Sequence, residues 1–275
     1  MSGNLLTNRP IRTIFPRALP LIFAAVVVSA NAAPKDDPVP RPEADRAAAQ
    51  SREPDPTMKQ RVAACIVCHG DQGRAAPDGF YPRIAGKPAG YLYNQLVNFR
   101  EGRRRYAPMT YLLEHMTDRY LGEIAEYFSR LDPPYRPSAA PRVAPAVIAR
   151  GQALTQSGDP ARQLPACIDC HGKQMTGAAP NVPGLLGLPQ DYVNSQLGAW
   201  RTDSRHASAP DCMAAIAKRM SLEDINATAS WLASQPVPAD HTPVSMAALT
   251  APIECGSLTA PLPEGGDSHF TEPYP

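Results

Sequence analysis

Two copies of the pattern Cys-x-x-Cys-His constrain this chain more than any other feature of its sequence. The first copy spans residues 65–69 (CIVCH) and the second spans residues 167–171 (CIDCH). Residues i and i+3 lie on the same side of a helical turn, so each copy presents two thiols together with an imidazole directly after them. The chain has only six Cys and six His among 275 residues, so chance does not explain two such triples.

This spacing is typical of covalent haem attachment, in which the two thiols bond to the haem and the His binds its iron. A zinc site would place its two Cys-x-x-Cys pairs about 15–20 residues apart, whereas these are about a hundred residues apart. A thioredoxin-like pair would follow a strand, and an ordinary disulfide leaves the His unexplained. We therefore expect two covalently bound haem c groups. The expected attachment residues are Cys65, Cys68 and His69 in one motif, and Cys167, Cys170 and His171 in the other.

The motifs belong to a longer internal repeat. Residues 82–100 match residues 183–201 at a constant offset of 101, with identical Pro, Gly, Tyr, Gln, Leu and Arg positions and one shared aromatic position. The Cys motifs are offset by 102 and two pairs of Met by 104, differences that changes in loop length explain. The chain therefore contains a duplicated unit of about a hundred residues.

Each copy carries three helix signals, and no stretch has the sustained alternation of a strand. One helix leads into each Cys motif, a second follows Pro88 or Pro189, and a third follows Met116 or Met220. In the second copy, residues 221–224 (SLED) form a capping box that begins the third helix. We predict an all-α fold of two tandem haem domains, joined by extended Pro-rich linkers and followed by a C-terminal tail.

The iron of an electron carrier usually has Met or His as its second axial ligand. Met109 and Met213 occupy equivalent places in the repeat, and each follows a Pro-containing segment that predicts a loop. Other methionines are better explained as packing residues and are kept as substitutes: Met116, Met220 and Met175. The predicted iron ligands are therefore His69 and Met109 for one haem, and His171 and Met213 for the other.

The order of these motifs resembles the cytochrome c4 family. Each copy has Cys-x-x-Cys-His, then Pro-x-x-x-Gly-x-Pro-x-x-Tyr-x-x-x-Gln-Leu, a Met and a short helix with an aromatic residue, over residues 57–236. The resemblance implies two class I cytochrome c folds packed face to face, with His/Met haems that exchange electrons. It also implies that the carbonyls of Pro82 and Pro183 accept a hydrogen bond from the ligating imidazoles. The chain departs from the family pattern at Lys87 and Leu188, where Gln is usual, and in its long tail.

The N-terminus has the pattern of an export signal. Three Arg residues and no acid precede or begin the apolar run of residues 18–29, and residues 30–32 (ANA) fit a small-x-small cleavage site. An uncleaved membrane anchor is the alternative, but a span needs about 20 apolar residues and this run has 12. We expect cleavage after Ala32 and a periplasmic mature protein.

Composition predicts the remaining boundaries. Residues 33–56 are rich in Pro and charge and predict a disordered linker, and a Pro-rich segment near residues 131–141 separates the repeats. The expected segments are a signal peptide at 1–32, the linker at 33–56, cytochrome c domains at 57–136 and 137–237, and a Pro-rich tail at 238–275.

Two cysteines, Cys212 and Cys255, are left over after haem attachment. An exported protein usually pairs such cysteines, and a bond would hold the tail over the Met213 side of the second haem. Two separate thiols are the alternative.

These features predict an electron carrier, because iron with both axial positions filled has no open site for a substrate. The expected partners are periplasmic redox proteins, with a dehydrogenase or respiratory complex as donor and an oxidase or cytochrome as acceptor; peripheral association with membrane complexes is a further option. Nucleic acid is not expected, since the mature chain has 24 basic and 26 acidic residues. The alternatives are a dihaem oxidoreductase of the peroxidase or thiosulfate dehydrogenase type, and a dedicated cytochrome subunit of a periplasmic dehydrogenase.

Overall fold

A computed structural model describes residues 56–76, 79–136 and 141–263. Helices dominate these residues and follow the same order in both repeats, which confirms the helical prediction. The predicted signal peptide, and the predicted linker apart from Pro56, lie outside the described residues. Within the part of the chain that is described, no helix is long and apolar enough to span a membrane.

The described residues of the first repeat form five helices and one 3-10 turn at Asp71–Gly73. The helices are α1 Pro56–Arg61, α2 Ala63–His69, α3 Ala89–Arg100, α4 Ala107–Leu113 and α5 Asp118–Ser129. Helix α5 begins where Thr117 accepts a hydrogen bond from the Tyr120 amide, and its apolar side packs against α3. The Cys motif therefore ends a short helix beside this packed pair, whose core includes Leu92, Ile124 and Phe128.

In the second repeat, the part that the structure describes forms five helices and a 3-10 turn at Pro160–Arg162. The helices are α6 Pro145–Ser157, α7 Cys167–His171, α8 Gln190–Arg201, α9 Cys212–Arg219 and α10 Leu222–Ser234. Helix α10 packs against α6 and α8. Its predicted capping box is confirmed, since Ser221 Oγ accepts from the Asp224 amide at 3.1 Å and the Asp224 carboxylate accepts from the Ser221 amide at 3.2 Å.

Three short strands among the described residues were not predicted. They are β1 Gly177–Ala179, β2 Val182–Pro183 and β3 Val244–Ser245, in the order β2–β1–β3. Strand β1 pairs antiparallel with β2 and parallel with β3. Strands of two or three residues are too short to produce an alternating pattern. Because β3 belongs to the tail, this pairing folds the tail back onto the second repeat, where 3-10 turns follow at Met246–Ala248 and Gly256–Leu258.

A symmetric cluster of four side chains joins the two repeats. Arg104 donates to the amide oxygens of Gln95 at 3.1 Å and Gln196 at 2.7 Å. Arg205 donates to the same two oxygens, at 2.8 Å and 2.7 Å. The two Arg residues and the two Gln residues are each related by the repeat offset of 101. Equivalent residues of the two copies therefore meet at one contact.

An ion-pair cluster ties the elements that precede the second Cys motif to helix α10, which follows it. Asp224 on α10 pairs with Arg150 on α6 and with Arg162 in the 3-10 turn. Asp159 pairs with the same two guanidinium groups, at 3.3 Å and 2.9 Å. Burial alone would raise the pKa of Asp224, but hydrogen bonds from Arg162, the Ser221 amide and Arg150 outweigh it and lower that pKa to about 2.

Replacing Asp224 with Asn should lower the free energy of unfolding at pH 7 by about 2 kcal/mol, since one pKa unit corresponds to about 1.4 kcal/mol. A carboxylate with a lowered pKa stabilises the fold above the unfolded value of 3.8, so this contribution is lost as the pH falls from about 4 to about 2. Denaturant unfolding of the haem-loaded protein across this pH range measures both effects. The control Asp191→Asn replaces an exposed carboxylate in the first turn of α8, so it should cost no more than about 1 kcal/mol, and a loss equal to that of Asp224→Asn would contradict the assignment.

Candidate haem sites

The first Cys motif is presented by the end of α2. Cys65 and Cys68 are free thiols, both partly exposed, and His69 is buried. The Nδ1 atom of His69 donates to the Pro82 carbonyl at 2.9 Å. Because a carbonyl only accepts, this hydrogen bond places the proton on Nδ1 and leaves the lone pair on Nε2. Burial lowers the pKa of His69, which keeps the imidazole neutral and able to bind a metal.

The second motif repeats this geometry on α7. Cys167 and Cys170 are free thiols, and Nδ1 of His171 donates to the Pro183 carbonyl at 2.8 Å. Burial also lowers the pKa of His171. The hydrogen bonds expected from the family resemblance are therefore both present. Each fixes the orientation of one imidazole relative to the segment that leads into α3 or α8.

A glycine after each motif was missed by the sequence reasoning. Gly70 and Gly172 follow the two His residues with φ of 75° and 81°. A Cβ on Gly70 would lie 2.5 Å from the Ala75 carbonyl oxygen. The chain turns sharply here to bring the later carbonyl back to the imidazole, and only glycine adopts this backbone without strain. The identical Cys-x-x-Cys-His-Gly pattern in both copies was a signal that could have revealed this requirement.

The thiols do not have the properties of a redox-active dithiol. Burial raises the pKa of Cys65 to about 11 and that of Cys167 to about 11. A redox-active Cys-x-x-Cys pair instead has a thiol whose pKa is lowered so that it attacks as a thiolate. This electrostatic environment argues against the thioredoxin-like alternative.

Met109 and Met213 lie in helices, where the sequence context predicted loops. Met109 is in the first turn of α4, directly after Pro108, and Met213 is in the first turn of α9. Asp211 begins α9 by accepting a hydrogen bond from the Ala214 amide. Both methionines are partly buried and pack against the core of their own repeat. Their role as iron ligands stays a prediction.

Met116 and Met220 have the packing environment that their sequence positions predict. Met220 is a buried member of the core of the second repeat, and Met116 packs against the core of the first. Each directly precedes the residue that caps the next helix, Thr117 or Ser221. Met175 is also buried in the core of the second repeat.

The sequence reasoning also missed the pair of guanidinium groups at the repeat interface. Extending the comparison of the two repeats a few residues further, to Arg104 and Arg205, would have found it. Burial, and then the charge of Arg104, lower the pKa of Arg205 to about 10. Within the described ranges neither group forms an ion pair with a carboxylate; their acceptors are neutral. Buried cations without a counter-charge are costly. A haem brings carboxylates of its own, so free thiols, neutral imidazoles and unbalanced cations together fit haem c.

The tail is bonded to the second repeat beside both of its predicted ligand residues. Cys212 and Cys255 form a disulfide, as expected. The Gly256 amide donates to the Pro210 carbonyl at 2.9 Å, and the Thr250 amide donates to the Asp169 carbonyl at 3.1 Å. Asp169 lies inside the Cys motif. The tail therefore contacts the attachment segment as well as the segment that carries Met213.

Comparison with known proteins relates the chain to named cytochromes, although no protein-family model matches it. It is 38% identical over 176 residues to a thiosulfate dehydrogenase electron acceptor from Thiomonas intermedia, which covers 64% of this chain and 80% of that protein. It is 32% identical over 174 residues to cytochrome c4 from Pseudomonas aeruginosa, which covers 62% of this chain and 84% of that protein.

Two solved structures are similar as well. Reduced cytochrome c4 from Pseudomonas stutzeri matches with a TM-score of 0.55 and 28% identity, over 66% of this chain and 98% of that one. Thiosulfate dehydrogenase from Marichromatium purpuratum matches with a TM-score of 0.57 and 34% identity over 64% of this chain. In that case the match spans only 37% of the length of the solved chain.

Helical repeats that each begin with a haem-attachment motif make this chain a dihaem c-type cytochrome of class I fold. It belongs to the cytochrome c4 family, whose members it matches over most of their length. It carries two covalently bound haem c groups, and it transfers electrons between redox partners rather than converting a substrate.

Breaking the disulfide should loosen the second haem site selectively. The bonded cysteines are 43 residues apart, so loop closure contributes about 3–4 kcal/mol in the chain-entropy model. Cys255→Ser should lower the free energy of unfolding by about that amount. Because the disulfide holds the segment that carries Met213, the variant should also lower the pH at which the predicted Met ligand leaves the iron (the alkaline transition) at one haem only, as measured by absorption titration. Wild-type protein with the disulfide reduced should behave in the same way. A transition lowered equally at both haems, or free thiols in peptide maps of the native protein, would contradict this account.

Proposed function

We propose that this protein is the electron acceptor of a periplasmic thiosulfate dehydrogenase and passes the electrons to a further cytochrome or oxidase. The supporting observation is its 38% identity to a protein named for that role, over 80% of that protein. A second electron acceptor of the same name, from Stutzerimonas stutzeri, is 32% identical over 171 residues. The likeness to one part of a solved thiosulfate dehydrogenase supports the same partner.

The two haems suit a carrier that serves a dehydrogenase. Haem iron supplies one-electron chemistry by changing between its ferric and ferrous states. Two such centres let one protein take up both electrons of a two-electron oxidation. The chain's own part is to hold the irons through His69 and His171, to fix both imidazoles through the Pro82 and Pro183 carbonyls, and to set the two potentials.

In this proposal, Met109 and Met213 supply the second axial ligand of the two irons. Their equivalent places, in the first turns of α4 and α9, support a shared role. A thioether ligand raises the potential of a haem relative to a second imidazole, which suits an acceptor.

Met109→Ala and Met213→Ala should each lower one of the two reduction potentials. Each should also remove about half of the weak far-red absorption band that a thioether sulfur gives to ferric haem. Potentiometric titration followed by absorption spectroscopy measures both effects. Met116→Leu and Met220→Leu are the matched controls, since Met116 and Met220 pack in the cores. Both control variants should leave the two reduction potentials unchanged. The ligand assignment is wrong for any repeat in which the control, and not the proposed ligand, moves the potential.

Export to the periplasm is also part of the proposal. Supporting it are the Arg-rich and apolar pattern of residues 1–32, the attachment motifs and the Cys212–Cys255 disulfide, which is typical of an oxidising compartment. Cleavage after Ala32 would be read directly from the N-terminal sequence of the purified protein.

A reconstituted assay tests the electron-acceptor role. With purified thiosulfate dehydrogenase and thiosulfate, both haems should be reduced at a rate that increases with dehydrogenase concentration, followed by stopped-flow absorption. Thiosulfate alone should not reduce them over the same time, and peroxide should not be turned over, because a six-coordinate iron has no open position. A single-haem cytochrome c of similar potential serves as the control for unspecific reduction. Equal rates with this control, or turnover of thiosulfate without the dehydrogenase, would refute the proposal.

A further inference from the structure

One lysine of the first repeat extends into the second. Lys87 precedes helix α3, yet the residue is only 6% exposed and its Nζ donates to the Gly184 carbonyl of the second repeat at 2.8 Å. It lines a cavity of about 10 Å³ together with Tyr135, Met175 and His241, which is about the size of one water molecule. The equivalent position in the second repeat is Leu188, so the second repeat has no such lysine.

The charge of Lys87 has no carboxylate partner among the described residues. The nearby Asp132 pairs instead with Arg83 at 3.3 Å and with His241 at 2.8 Å. Burial, and then the charge of Arg83, lower the pKa of Lys87 to about 8, so the ammonium form still predominates at neutral pH. A buried and unpaired charge is destabilising unless something offsets it. Perturbed groups of this kind are concentrated at functional sites.

The lysine and the second imidazole bind neighbouring carbonyls. Gly184 accepts from Lys87, and Pro183, directly before it, accepts from Nδ1 of His171. Two consecutive carbonyls therefore hold an ammonium group of the first repeat and the predicted iron ligand of the second.

We propose that Lys87 raises the reduction potential of the second haem by placing a positive charge beside its imidazole ligand. The inference rests on the ligation of that iron by His171 proposed above. Ferric haem has one positive charge more than ferrous haem, so a nearby ammonium group disfavours the ferric state, and its effect is largest in a buried, low-dielectric environment. The reaction is the uptake of one electron by ferric iron from a one-electron donor, with no bond made or broken.

Potentiometric titration of the haem-loaded protein tests this role. Met213→Ala first identifies the couple of the second haem as the one that it lowers. Lys87→Gln, which introduces the residue usual in the family, should lower that same couple and leave the other in place. We expect a roughly threefold to tenfold fall in the ratio of ferrous to ferric haem at a fixed potential, or ~30 to ~60 mV at ~59 mV per tenfold change for one electron.

Three further variants separate charge from packing. Lys87→Met, which is neutral and of similar length, should reproduce the shift, whereas Lys87→Arg should retain most of the wild-type potential. Lys173→Gln removes an exposed lysine two residues after His171, and it should change the ratio by less than about twofold because solvent screens an exposed charge.

The outcomes that would overturn the proposal are distinct from a failure of the proposed function. An unmoved second-haem couple in Lys87→Gln and Lys87→Met, with both haems attached, would overturn it, as would an equal shift in Lys173→Gln. A second-haem couple that Met213→Ala fails to lower would instead overturn the assigned ligand. The titration needs no dehydrogenase, so the identity of the electron donor does not affect it.

Discussion

The hydrogen bond from each imidazole to a proline carbonyl is the contact on which the rest of the structure depends. It joins the end of the attachment helix to the segment that leads into α3 or α8, at 2.9 Å for His69 and 2.8 Å for His171. Those helices carry Gln95 and Gln196, which form the contact between the repeats. The orientation of each predicted iron ligand is therefore tied, through a few residues of backbone, to the position of the other repeat.

The contact between the repeats combines polar groups with stacking. Arg104 stacks on the Phe99 ring at 4.4 Å and Arg205 stacks on the Trp200 ring at 3.7 Å, each within its own repeat. Stacking and shared amide acceptors hold two guanidinium groups close together in spite of their repulsion. If one repeat moved relative to the other at this contact, buried hydrogen-bond donors would be left unsatisfied. The contact therefore favours one arrangement of the two repeats.

The sequence predicted those features that depend on local pattern. The Cys motifs, the capping box at residues 221–224 and the packing of Met220 follow from spacing within a few residues, and the structure bears each of them out. The strands were missed because pairing over two or three residues leaves no periodicity. The helical context of Met213 was missed because α9 is short and begins at a cap rather than at a periodic apolar run. The burial of Lys87 depends on a contact between residues 97 positions apart, which no local pattern records.

The tail gives the second haem site an order of assembly. A chain is synthesised from its N-terminus, so Cys255 is the last of the six cysteines to be made. Before residues 244–255 are made, Cys212 lacks its bonded partner, β3 is not present to pair with β1, and no tail amide covers the Asp169 carbonyl. Cys167 and Cys170 are thus made before the tail residues that bind the segment between them. The tail closes over this segment only as the last part of the second repeat to be added.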